Sequence, residues 1–173
     1  MKKLKIVMLF VLLSLGVNAQ TLSEGDALVS GSLGLAGSSV ATGGGFSITV
    51  PPMLFSYEKM FTDKISAGGF VGLFGSKYAA YDYVVKYSFI YIGGVGNYHF
   101  YMDDNFDLYG GLRLGFYKAS VSGNTGFYNA ISTSGLAYSA HVGGRYFFSE
   151  NFAALAELGL GISFLSVGVS MKL

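Results

Sequence analysis

The stretch SFIYIGGVGNYHFYMDDNFDLYGGLRLGFYK, residues 88–118, holds two alternating apolar runs on either side of Met102-Asp103-Asp104-Asn105. A cluster of that composition between such runs marks a hairpin turn. In the second run Leu108, Gly110, Leu112, Leu114 and Phe116 share one face, and Asp107, Tyr109, Gly111, Arg113 and Tyr117 share the other. The period is two, which belongs to a strand, not 3.6. Tyr98, Phe100, Tyr101, Phe106 and Tyr109 crowd the turn, where a membrane-spanning barrel would carry an interfacial aromatic girdle.

The same alternation extends through the chain and predicts about eight strands. They are placed at residues 27–37, 46–60, 65–75, on the two arms of the hairpin, and at 133–148, 152–161 and 164–173. In the second strand the apolar phase changes at Pro51-Pro52, from Phe46, Ile48 and Val50 to Met53, Phe55 and Tyr57. Proline cannot donate to a ladder, so a bulge is expected there. Longer connections follow the first, third and fifth strands and shorter ones the second, fourth and sixth, as in a barrel whose termini share one side. The reading is all-β: an eight-stranded antiparallel up-and-down transmembrane barrel.

Composition narrows the alternatives. The 173 residues are 51% hydrophobic and only 12% charged, yet past residue 20 no apolar run nears the roughly 20 residues of a spanning helix. The 26 glycines are about twice ordinary usage and favour tight turns and curved strands. The first 19 residues combine Lys2, Lys3 and Lys5, an apolar core from Ile6 to Leu15, and Val17-Asn18-Ala19, the pattern of a secretory signal peptide cleaved near Ala19. Residues 20–173 are then one barrel domain. Removing residues 1–19 takes the 11 basic residues to eight against 10 acidic ones, so no basic patch speaks for nucleic acid. With no cysteine there is neither a disulfide framework nor a thiolate metal site.

A soluble barrel of this size buries its apolar face, whereas a membrane barrel turns it outward. Here one face is aliphatic and aromatic. The other carries Glu58, Asn97, His99, Arg113, His141, Arg145, Glu157 and Lys172. Pointing inward, Arg113, Arg145 and Lys172 come close to balancing Glu58 and Glu157, with His99 and His141 among them. The hairpin at Ser149-Glu150-Asn151 makes Arg145 and Glu157 diagonal neighbours, and a salt bridge between them is expected to help plug the lumen. In Tyr87-Ser88-Phe89-Ile90-Tyr91-Ile92 both faces are apolar, so either aromatics fill the lumen or a bulge at Gly93-Gly94 swaps the phase.

Several short motifs carry a family resemblance: Ala19-Gln20, residues 51–63 (PPMLFSYEKMFTD), Gly96-Asn97-Tyr98-His99-Phe100 and Ala156-Glu157-Leu158-Gly159. With them the whole mature chain resembles small eight-stranded outer-membrane barrels of the OmpX type and the OmpA transmembrane-domain type, in a form common among Bacteroidetes. The resemblance implies residence in the outer membrane, contact with its lipid and lipopolysaccharide, and insertion by the barrel assembly machinery. Such proteins often end in Phe, whereas this sequence ends in Met171-Lys172-Leu173.

The function expected is non-enzymatic, structural or surface-interacting, with a small-solute pore or a lipid-modifying enzyme as alternatives. Outer-membrane deacylases of similar size carry His-x-Ser on the outer face. Here the histidines read His99-Phe100-Tyr101 and His141-Val142-Gly143 and point inward by phase. Asp103, Asp104 and Asp107 cluster at a turn without calcium-loop spacing, and Gly43-Gly44-Gly45 lacks the Lys of a phosphate loop. No cofactor is expected. Tyr78, Tyr81, Tyr83, Phe127 and Tyr128 either form an external patch for a protein or surface ligand or continue the strands and girdle.

Overall fold

The computed structural model describes residues 22–36, 46–80, 83–123 and 131–173. Its strands are β1 (Ala27–Ala36), β2 (Phe46–Thr62), β3 (Ile65–Ala80), β4 (Tyr83–Met102), β5 (Phe106–Gly123), β6 (Ile131–Phe147), β7 (Phe152–Leu160) and β8 (Leu165–Lys172). Each pairs antiparallel with the next, and β8 returns to β1 to close the barrel. The signal segment, Tyr81, Phe127 and Tyr128 lie outside the described residues. β3 and β4 extend further than expected, so Tyr78 and Tyr83 belong to strands.

Side chains alternate across the wall as the sequence requires. Leu112, Leu114 and Phe116 are exposed on the outside, as are Ile90, Ile92, Val142, Leu158 and Val169. The buried inward set is largely polar. In water this would be an inverted protein; in a bilayer the apolar band faces lipid, and closure of β8 on β1 gives every strand a neighbour on each side.

Irregularities fall where the chemistry asks for them. The β2–β3 register shifts just before Pro51-Pro52, between Ile48 and Val50, and again across it, between Val50 and Met53, so Ile48 and Val50 on one side and Phe55 and Tyr57 on the other all face outward. Across β4–β5 the shift lies between His99 and Tyr101, which turns Phe100 and Tyr101 both outward into the girdle. Tyr109, expected in that girdle, is instead fully buried, because its phase is that of Asp107 and Arg113.

There is no bulge at Gly93-Gly94. Gly93 pairs with Gly115 in unbroken register, and a Cβ on either would run into the other strand's backbone. Aromatics therefore fill the lumen: Phe74, Phe89, Tyr91 and Tyr117 form a chain of ring contacts with centroids 5.8–6.3 Å apart. At the opposite end, near the short turns, Leu22, Leu28, Met60, Phe147 and Ala153 form a buried apolar cluster with Met102 packed against it. The lumen thus has three layers, with the polar residues between an apolar cap and an aromatic storey.

Candidate functional site

Period two places the middle layer. Glu58 comes from β2, Ser66 from β3, Asn97 and His99 from β4, Asp107, Tyr109 and Arg113 from β5, His141 and Arg145 from β6, and Glu157 from β7; all are buried. A charge in such a place costs several kcal/mol unless it is paired and fully hydrogen-bonded.

Arg145 is the centre. Its Nη1 donates to Asp107 Oδ2 at 3.0 Å, its Nη2 to Glu58 Oε1 at 3.2 Å and its Nε to Ser170 Oγ at 3.3 Å, while its guanidinium lies 4.1 Å from the centroid of the Tyr109 ring. Glu58 also accepts from Asn97 Nδ2 at 2.6 Å, Ser66 Oγ at 3.1 Å and Ser56 Oγ at 3.2 Å. A second centre joins Arg113 and Glu157, whose two oxygens both accept from Nη2, at 2.8 and 2.9 Å. Tyr109 donates its hydroxyl to the same carboxylate at 2.8 Å.

The expected Arg145–Glu157 bridge is therefore not formed. The register does make the two diagonal neighbours, with Gly143 opposite Glu157 and Arg145 opposite Leu155. Tyr109 comes between them, its ring against Arg145 and its hydroxyl on Glu157, and each charge takes a partner from another strand. Lys172 shares the inward phase of Ser170 and lies at the turn end of β8, where its ammonium reaches Asp26 at 3.3 Å.

Hydrogen-bond direction assigns the histidines. Carboxylates only accept, so Ser66 must give its proton to Glu58 and can only accept from His99 Nε2, 3.0 Å away. His99 Nδ1 donates to Asp107 Oδ1 at 2.6 Å, so both ring nitrogens donate and the ring is cationic. His141 differs. Asn97 gives its amide nitrogen to Glu58, which leaves its oxygen to accept from His141 Nε2 at 2.8 Å; Nδ1 has no partner, and the ring is neutral. Three cations, Arg113, Arg145 and His99, then face three anions, Glu58, Asp107 and Glu157.

Ser66, His99 and Asp107 lie in the order of a hydrolytic triad, but their protons run the wrong way. The nucleophile of such a triad donates to an imidazole lone pair. Here the serine proton belongs to Glu58, the imidazole has no lone pair to offer, and Ser66 is wholly buried. Among the described residues no group of three or more His, Asp or Glu is arranged to hold a metal.

Asp107 and Tyr109 are the network members that the sequence reading placed elsewhere, at the turn and in the girdle. Their signal was present in the alternation: both share the face of Arg113, at two-residue intervals.

A closed antiparallel barrel with an apolar outer band and a self-neutralising polar interior defines an eight-stranded transmembrane barrel of the outer-membrane class. The chain belongs to the outer membrane protein beta-barrel domain family, whose model matches residues 7–167, and its place is the outer membrane. Solved structures agree on the fold. Neisserial surface protein A is 16% identical with a TM-score of 0.60, covering 86% of this chain and 96% of that one. OprG of Pseudomonas aeruginosa is 12% identical with a TM-score of 0.54, covering 91% and 99%. The N-terminal β-barrel domain of OprF from the same organism is 16% identical with a TM-score of 0.53, covering 88% and 100%. Comparison with curated proteins finds no match.

Proposed function

We propose that this is a non-catalytic outer-membrane barrel whose lumen is sealed, and that its role is structural or surface-interacting. The observation that carries the reading is the layered interior: an apolar cap beneath a network in which three cations meet three anions. Eight strands enclose a space that side chains can fill, and an ion would have to displace charge-assisted bonds of about 3 Å to pass. The reversed proton direction at Ser66 speaks against hydrolysis.

Residues 1–19 serve as a cleaved signal peptide, the barrel assembly machinery inserts the chain, and lipopolysaccharide is its neighbour in the outer leaflet. Any external protein or surface ligand meets the loops. The test is electrical. Purified wild-type protein in planar bilayers gives no stable ion conductance; sustained unitary channels would sink the sealed-lumen reading and favour a small pore.

A further inference from the structure

The barrel wall is uneven in height, and a cavity lies behind its low point. β6 runs from Ile131 to Phe147, but β7 ends at Leu160, opposite Ala140. Residues 131–139 of β6 are therefore paired on the β5 side alone. Inside this notch is a chamber of about 300 Å³ with aromatic walls, Phe70, Phe89, Tyr91 and Tyr117, and Arg113 at its inner end. Two residues at its mouth, Leu136 and Tyr138, belong to the outward face and are 67% and 82% exposed. The chamber thus opens through the wall, at the level where the outer apolar band ends against the polar Ser132-Thr133-Ser134.

We propose that this chamber is a binding site for a small, uncharged, lipid-soluble molecule with an aromatic body and one hydrogen-bond-accepting oxygen, admitted sideways through the β6–β7 notch. Size allows it: a dry apolar cavity of about 150 Å³ already holds a benzene-sized molecule. The walls favour an aromatic body, since Phe89 and Tyr91 stand 16° from parallel with centroids 6.3 Å apart. Charge is disfavoured twice, by the hydrocarbon at the mouth and by the balance already reached inside. The acceptor follows from Arg113. Arg113 lines the inner end and gives Glu157 only its Nη2, so its Nη1 is left to donate there. Below Arg113 the polar network closes the chamber, which makes it a blind site.

Benzophenone has the required chemistry and reports its own position. Irradiated with the wild-type barrel in phospholipid nanodiscs, it should label chamber residues such as Tyr91, Tyr117 and Ile162, as located by mass spectrometry of peptides. Ala137→Trp, which adds bulk from β6 into the chamber, should abolish those adducts and leave labelling of the outward face unchanged. In wild type, fluorenone should compete about ten-fold better than fluorene, which has the same rings without the oxygen. This competition needs no variant and stands even where Ala137→Trp fails to fold. Adducts confined to outward residues such as Leu136 and Leu160, chamber adducts indifferent to Ala137→Trp, or equal competition by the two compounds would each overturn the proposal. None of these outcomes bears on conductance, which tests the sealed lumen separately.

Discussion

Glu157 accepts from Arg113 and Tyr109 rather than from Arg145, so the variants that should compensate one another are those of Arg113 and Glu157. Removing one partner of a buried ion pair typically costs about 3–5 kcal/mol, because the other is left uncompensated. Glu157→Gln and Arg113→Gln are each expected to lower the stability of the detergent-solubilised barrel by about that much, and the double variant to cost clearly less than their sum. The matching cycle between Arg145 and Glu157 should show weaker coupling. Denaturant unfolding of the six proteins needed for both cycles checks this, and a stronger Arg145–Glu157 coupling would reject the pairing. Sequence phase read Glu58, Asn97, His99, Arg113, His141, Arg145 and Glu157 as inward-facing, but left Ser66 unnamed and put Asp107 at the turn and Tyr109 in the girdle. It did not identify who pairs with whom. Diagonal neighbours on a hairpin are a local relation, whereas Tyr109 intervenes from β5, and only barrel closure brings β2, β5 and β7 to a common centre.

At the level of the strand, β5 shows how a sequence divides lipid from lumen. Its outward face reads Leu108, Gly110, Leu112, Leu114, Phe116, Lys118 and Ser120, apolar until Lys118, which places the edge of the hydrocarbon band near that residue. Leu112 lies well within the band and is 67% exposed. A basic residue at the bilayer midplane costs about 2–4 kcal/mol and near the interface about 0–1. Leu112→Lys is therefore expected to fold several-fold less efficiently into liposomes, while Ser120→Lys folds as wild type. Equal folding yields for the two would mean that the band does not end where β5 becomes polar. The same alternation made strand number and facing legible in the sequence, but not the ends of β3 and β4. Residues 76–80 and 83–85 read as loop in isolation and become strand only through each other, by pairs such as Lys77 with Lys86 and Tyr78 with Val85. The stretch from Tyr87 to Ile92 was undecided for a related reason. Local pattern cannot tell a bulge from an aromatic lumen, whereas the backbone contact of Gly93 with β5 excludes the bulge.

For the molecule as a whole, closure is the step on which everything else depends, since neither the polar layer nor the apolar cap exists until β8 meets β1. The seam is made by pairs from Leu28–Lys172 to Ala36–Leu165, with one shift near Gly34. Inside it Ser30 and Ser170 share a hydrogen bond of 2.8 Å, and Arg145 reaches Ser170 from β6, so the central network also ties the seam. Gly168 is the tightest point. A Cβ there would collide with the carbonyl of Gly31 and crowd Ser32, so the obstacle is backbone and cannot rotate aside. Gly168→Val should therefore prevent closure, whereas Gly69→Ala, whose added carbon would meet nothing nearer than the Gly93 carbonyl at 3.5 Å, should be tolerated. Closed barrels resist detergent unfolding at room temperature and migrate faster on gels before boiling than after. Wild type and Gly69→Ala are expected to show that heat-dependent shift, and Gly168→Val to run at the unfolded position with or without heating. A compact, heat-shifted band from Gly168→Val would show that the seam can close without the close approach of β8 to β1, and that the register there is not what holds the barrel shut.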